Sequence, residues 1–414
     1  MGAAQRVKER LGRREELLLE ATKNPGAEIW LWSRVGIWAA AVFALLVFEP
    51  NRHPRASVWD RPELTRDLGF VTDVWARWDS VFFLRIAEHG YDAAAGSAAA
   101  FYPLYPALVG LLGRLLGGHY VLAGISISLA ASLAAFLLFY RLAEERLGAE
   151  GGRRAVCYLA VFPMAVFLQA VYSESLFLLL CLLAFLAAER GRFAGAGIVA
   201  GLALLTRPAG VALLPALALL AWRSPQRGRS LGALCLAPLL FAAYPVYLWI
   251  SLGDPWAFLR AQGTWNRELS PAGPLGGIWD GLRAGAAGVE QLLSGSHSDS
   301  TWPVVDTDPM RAAAVNLELL GFLVLFCVLT MVVWRRFGAP YGLFCAVSLA
   351  IPLSVPTERW PLLSLPRFGL VIFPFFLALA AIARKPRVHT AVLSISSVLL
   401  GVAVVQWALW QWVA

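Results

Sequence analysis

The sequence predicts an all-α polytopic membrane protein, and three observations carry that reading. Of its 414 residues, 59% are hydrophobic and 15% charged, whereas soluble chains carry about 25% charged residues. The mean hydropathy is +0.64. Several apolar runs approach the roughly 20 residues that a helix needs to cross a bilayer core of about 30 Å.

The elements follow in order. Residues 1–29 read as a cytoplasmic N-terminal segment. Its first 28 residues are charged and have no early apolar core, so no removable signal peptide is expected. Gln5–Glu20 mixes both charges around leucines and reads as a surface helix. Residues 30–414 read as one membrane domain. Eleven spans are placed near Trp30–Phe48, His119–Tyr140, Ala155–Val171, Ser175–Ala188, Phe193–Thr206, Ala209–Trp222, Leu231–Leu252, Ala312–Trp334, Tyr341–Val355, Phe368–Ala383 and Thr390–Trp412. Two long segments connect them on one side, 49–118 and 253–311. Within the first, Ser80–Glu88 reads as a helix stopped by Gly90. Trp75, Trp78, Phe82 and Ile86 share its apolar face, which suits a helix lying in the headgroup zone. Phe101–Leu116 carries Pro103, Pro106 and Arg114 and also reads as interfacial. The second segment has Gly, Pro and Ser clusters at Ser270–Pro274 and Ser294–Ser300 and reads as irregular.

Charge orients the chain. With Phe101–Leu116 kept out of the membrane, one side collects 21 of the 35 cations and 9 of the 27 acids. The positive-inside rule makes that side, with the N-terminus, cytoplasmic. The long segments and the C-terminus then lie outside. The net charge of +8 is a topology signal and a contact for anionic membrane lipids; nucleic-acid binding is not indicated. Arg far outnumbers Lys, which occurs only at Lys8, Lys23 and Lys385. That bias fits a bacterial plasma membrane. The five cysteines fall within predicted helices and suit packing rather than disulfides. Gly195-Ala196-Gly197 with Gly201 lacks a preceding strand and reads as close helix packing.

The chemistry gathers after the first span. Arg77-Trp78-Asp79-Ser80 leads into Glu88-His89-Gly90-Tyr91, then Phe101-Tyr102-Pro103-Leu104-Tyr105-Pro106. Asp79 stands at a helix start, where it could cap the helix N-terminus or serve as a general base at the membrane surface. Glu174, Arg207 and Arg367 stand at other helix junctions on the same side. Charges near hydrocarbon are costly and need partners or a function. An arginine fork suits phosphate oxygens, although a structural Glu–Arg pair would also explain these residues. His89 suits a surface position or a substrate contact equally. No tight His/Asp/Glu spacing marks a metal site, and a need for a divalent metal is left open; no other cofactor is expected.

These residues resemble the PIG-V family, the mannosyltransferases II of glycosylphosphatidylinositol synthesis and their prokaryotic relatives. The resemblance rests on the Arg77–Ser80 and Ile86–Tyr91 blocks, Phe101–Pro106, Tyr172-Ser173-Glu174-Ser175, Leu205-Thr206-Arg207-Pro208 and Leu365-Pro366-Arg367-Phe368. The blocks run in family order from about Arg77 to Phe376. Phe368 stands where the family pattern has Tyr, and residues 253–311 offer no match. The resemblance implies a GT-C glycosyltransferase fold that takes a hexose, mannose in this family, from a polyprenyl-phosphate carrier on the non-cytoplasmic face, usually with inversion. The acceptor would be a lipid or glycan. It implies that Asp79 is the essential acid, the base that deprotonates the acceptor. Arg207 and Arg367, with Arg85, would stabilise the leaving phosphate. Trp78, His89 and Tyr91 would shape the sugar site, Arg77 would contact substrate, and Glu174 would orient the sugar or pair with an arginine. A lipid or sugar transporter and a non-catalytic membrane scaffold are the alternatives from other classes.

Overall fold

The computed structural model describes residues 24–51, 63–303 and 308–413, with the backbone alone for 93–96. The surface helix expected at Gln5–Glu20 lies outside the described residues. The described residues are helical, and the one bridge outside helices is an antiparallel pair between Arg267 and Thr357. Five helices are long and apolar enough to cross a membrane: Pro25–Val47, Tyr120–Ala160, Arg227–Leu252, Pro309–Phe337 and Pro386–Ala408. Their starts follow local chemistry. Asn24 accepts the Gly26 N–H and is followed by Pro25, while Asp308 accepts the Met310 and Arg311 N–H groups and is followed by Pro309. A cap with proline at the first helical position satisfies or removes the free donors of a helix start. Pro25–Val47 lies along Tyr120–Ala160, pinned by a 2.9 Å bond from Trp30 Nε1 to Ser132 Oγ.

Several expected spans are shorter or broken. Tyr120–Ala160 is kinked at Gly148, whose φ of +75° disfavours any other residue. The span expected at Ala155–Val171 is helical only to Ala160; Pro163 and a 3-10 turn at Ala165–Leu168 carry the rest. That break frees carbonyls inside the core, and a helix end buried without partners is costly. Arg34, buried in the first helix, takes two of them, donating to Ala165 O at 2.8 Å and Ala160 O at 3.4 Å. The span expected at Phe368–Ala383 is likewise split, into Leu365–Leu370 and Pro374–Ile382, because Pro374 cannot continue a helix interior.

The segment 253–311 differs most from expectation. It holds a 21-residue helix, Pro274–Ser294, packed on Pro309–Phe337. Gly277, Gly281, Gly285 and Gly288 form its contact stripe. A Cβ at the first three would collide with Leu353, Leu362 and Leu320, and one at Gly288 would stand tightly 3.0 Å from Ala313 O. Glycine lowers helix propensity by about 1 kcal/mol per residue, which hid this helix, yet small residues four apart are what close helix contact requires.

In the first long segment the two expected helices are present. Ser80–His89 ends at Gly90, with φ +78°. Leu104–Leu115 has 12 residues, about 18 Å of helix at 1.5 Å per residue, too short to cross. Gly110 lets the two helices touch: a Cβ there would stand 2.5 Å from Ala87 O. The glycines at 197 and 201 do pack closely, against Ala233 O and Leu240. All five cysteines are free.

The helix Glu174–Glu189 shows how the molecule is polarised. Glu189, at its C-terminal end, accepts from the Tyr341 hydroxyl at 2.9 Å and pairs with Arg146. Glu174, at the other end, lies among the conspicuous residues of the sequence. One continuous cluster of buried apolar side chains runs from Ile37 to Val413 and joins the two ends.

Candidate functional site

The site is built on one chain crossing. Val171 N–H donates to Trp75 O at 2.9 Å, joining residues 75–80 to 171–174. Buried Ser80 accepts the Arg77 N–H at 3.1 Å and donates to Val171 O at 3.1 Å. The Tyr172 hydroxyl accepts the Asp79 N–H at 3.1 Å and donates to Arg77 O at 3.0 Å. Trp78 is forced to φ +52° between these ties. A bulky residue there costs roughly 1–3 kcal/mol and persists only when its surroundings over-determine it.

Asp79 follows Trp78 directly. Its backbone opens the helix Ser80–His89, but its side chain makes no capping bond. Instead its Oδ2 accepts from Arg367 Nη1 at 2.7 Å. The capping alternative is therefore not realised. Arg367 also bonds Glu174 Oε1 through Nε, and Arg207 Nη1 meets the same oxygen at 2.5 Å. The result is a chain of alternating charge, Asp79–Arg367–Glu174–Arg207. Glu174 is completely buried, whereas Asp79 and Arg367 keep 18% and 11% of their side chains exposed. The Arg367 guanidinium lies over the rings of Phe167 and Tyr172, at 4.9 and 4.6 Å. Attraction to an aromatic face orients it further.

Above this chain opens a cavity of about 330 Å³. Asp79, Arg207, Arg267 and Arg367 gather in its wall, and most of the remaining lining is apolar, including Phe101, Phe177, Phe258, Trp265, Ile351 and Trp412. Three guanidiniums thus face one lining carboxylate, with Glu174 beneath. The balance favours an anion, and the apolar lining favours a hydrophobic attachment to it. Among the described residues, no three of His, Cys, Asp and Glu come together as metal ligands do.

Asp79, Arg207 and Arg367 meet in the cavity, with Glu174 joining them from below. The other candidates lie elsewhere. Arg77 donates to Asp73 O at 3.0 Å and stacks 4.4 Å from the Trp410 ring centre. Trp78 packs edge-on against Trp410 and Trp412. Trp78 touches the cavity wall through Trp412, and neither Arg77 nor Trp78 lines the cavity. Tyr91 is buried in a separate aromatic cluster with Tyr244 and Tyr247, its hydroxyl donating to Phe101 O. Burial pushes its phenol well above the usual range. Arg85 is half-buried on the helix Ser80–His89, and His89 is exposed beside Glu88; neither lines the cavity. Sequence reasoning missed Arg267, Trp265 and Gln262, all in the segment 253–311, and Trp412 near the C-terminus. The one available signal for Arg267 was an arginine two residues after a tryptophan in a segment expected to be external.

Comparison with known proteins gives the following. A GPI mannosyltransferase 2 of Aspergillus fumigatus is 29% identical over 158 residues, covering 35% of this chain and 31% of that protein. A GPI alpha-1,6-mannosyltransferase 2 of Mus musculus is 36% identical over 149 residues, covering 34% and 30%. The aligned region is thus about a third of these curated relatives. Among solved structures, the oligosaccharyltransferase AglB of Archaeoglobus fulgidus, in complex with an inhibitory peptide and a dolichol-phosphate, aligns with 90% of this chain and 56% of its own at 12% identity and a TM-score of 0.40. ArnT of Cupriavidus metallidurans, bound to undecaprenyl phosphate, aligns over 83% and 76% at 16% identity and a TM-score of 0.35. Residues 68–219, which hold Asp79, Glu174 and Arg207, match the family model described as mannosyltransferase (PIG-V).

Proposed function

We propose that the protein is a membrane mannosyltransferase of GT-C architecture that moves mannose from a polyprenyl-phosphate carrier to a lipid or glycan hydroxyl. The observation that carries this reading is the cavity itself. A carboxylate and three guanidiniums meet at one end of a helical bundle, under an apolar wall. A phosphate ester carrying a long hydrocarbon fits both halves. A nucleotide sugar would leave the apolar lining unused.

In the proposed mechanism, Asp79 accepts the proton of the acceptor hydroxyl as that oxygen attacks the anomeric carbon. The bond from that carbon to the phosphate oxygen breaks, and the lipid phosphate leaves from the opposite face with the electron pair. The configuration inverts. Arg207 and Arg367 stabilise the growing charge electrostatically, an effect that is large in a site closed to water. Arg367 also aims Asp79. Glu174 holds both arginines in register from below, and Tyr172 fixes the Asp79 backbone. Arg77 and Trp78 position the wall through Trp410 and Trp412.

A transporter would bind near the bilayer midplane on discontinuous helices. Here the charges gather at one end of Glu174–Glu189, which favours surface chemistry. By the charge asymmetry of the sequence, that end faces outside a bacterial plasma membrane.

The test is donor choice. The purified protein receives a total lipid extract of its source cell and either radiolabelled polyprenyl-phosphate mannose or radiolabelled GDP-mannose. Label is expected in product from the lipid donor alone. Transfer from GDP-mannose alone would overturn the reading.

A further inference from the structure

We propose that Arg267 is the anchor for the phosphate group of the polyprenyl carrier, so that the segment 253–311 supplies the part of the cavity that grips the donor. This rests on the donor reading above and adds the residue that recognises it.

The argument begins with the three cavity arginines. Arg367 is engaged by Asp79 and Glu174, and Arg207 by Glu174. Arg267 differs. Among the described residues, its hydrogen bonds go to carbonyl oxygens, Val355 O at 3.5 Å and Leu363 O at 3.3 Å. Neither neutralises its charge. A guanidinium has five N–H donors in a planar fork, so much of that fork stays available to the cavity. Burial and the nearby Arg367 bring its pKa down to about 10, with Asp79 opposing the shift, so it stays charged at neutral pH while no carboxylate among the described residues pairs with it directly.

Its placement is enforced. The bridge to Thr357 ties this segment to residues 355–364. Asn266, its neighbour, is held at φ +51°, and Ser364, next to the Leu363 carbonyl that Arg267 bonds, at φ +65°. Asparagine tolerates that region, whereas for Ser364 the conformation is strained. Phe368 packs its ring 5.7 Å from the Arg267 guanidinium. That contact gives a role to the phenylalanine that departs from the family pattern. Val355 and Ile351 continue the wall beside Arg267 as apolar surface, the direction a prenyl chain would take.

The experiment measures binding of sugar-free polyprenyl phosphate to the purified full chain in detergent, for wild type, Arg267→Gln, Arg267→Lys and Asp79→Asn. Excess inorganic phosphate is added as a competitor in a parallel arm. Loss of a charge-assisted pair to phosphate predicts binding weaker by about tenfold or more for Arg267→Gln, with Arg267→Lys between it and wild type. Asp79→Asn should bind at least as well as wild type. Arg267→Lys keeps the charge, so if Arg267→Gln misfolds in a melting assay, a folded lysine variant with undiminished affinity for the lipid overturns the inference. Equal binding by wild type and folded Arg267→Gln overturns the role of Arg267 and leaves the donor reading standing. No binding by wild type overturns the donor reading itself. Full competition by inorganic phosphate would mark a site for the free anion rather than the lipid.

Discussion

Replacing Glu174 by Gln tests whether the charge chain is one unit. Glu174 is wholly buried, and one of its oxygens meets both Arg207 and Arg367. The substitution keeps the shape and removes the charge. Arg367 still has Asp79 at 2.7 Å. Arg207 is left with the Ser173 hydroxyl at 3.3 Å. Leaving a buried charge without its partner costs about 3–5 kcal/mol. Removing Arg207 as well, in Glu174→Gln with Arg207→Met, takes away the stranded cation, so the double variant should recover about 1–3 kcal/mol relative to the sum of the single variants. Asp79→Asn makes the contrast, since Arg367 keeps Glu174 and Asp79 is partly exposed; its cost should stay near about 1 kcal/mol. The assay is reversible unfolding of the four variants and wild type in mixed micelles. A Glu174→Gln protein as stable as wild type, or a double variant that is merely additive, would refute the idea that Glu174 holds the arginines.

Two further outcomes follow from the geometry. Tyr172→Phe removes the hydroxyl that accepts the Asp79 N–H and donates to Arg77 O, so kcat should fall on the order of tenfold, the equivalent of about 1.4 kcal/mol of positioning. Donor affinity should be unchanged, which a KM measurement checks. Gly110→Ala would set a Cβ 2.5 Å from Ala87 O and push on the helix that begins after Asp79. Overpacking of this kind costs about 1–3 kcal/mol, and a melting curve alongside the transfer assay should show both stability and turnover reduced.

Much of the helical frame was legible because composition and run length reflect the solvent that the chain faces. Ser80–His89, with its glycine stop, was readable for the same reason that local signals generally are: period and stop signal agreed. The breaks were less visible. Nothing in the run Ala155–Val171 announces that helix ends at Ala160, since the event depends on Arg34, 126 residues earlier, supplying donors to the freed carbonyl. The helix Pro274–Ser294 was hidden by its glycines, whose low propensity is offset by tertiary contact that a single sequence does not display. At the site, Asp79, Glu174, Arg207 and Arg367 could be grouped because charges at helix junctions of an apolar chain need a reason to be there. Arg77, Trp78 and Tyr91 lay in the same conspicuous motif, yet the structure uses them to hold backbone and aromatic walls. Proximity in sequence does not say which side of a turn a side chain takes. Arg267 sits in a segment with weak periodicity, and only the bridge to Thr357 brings it to the cavity.

The central claim is that Asp79 is the base of a sugar transfer. The direct measurement is transfer from radiolabelled polyprenyl-phosphate mannose into extracted lipid acceptors by purified wild type and by Asp79→Asn, both shown to be folded. General-base removal predicts a loss of about 10²–10⁴-fold in rate, with donor binding intact. Equal transfer by the two proteins would contradict the account and leave Asp79 as only a partner for Arg367.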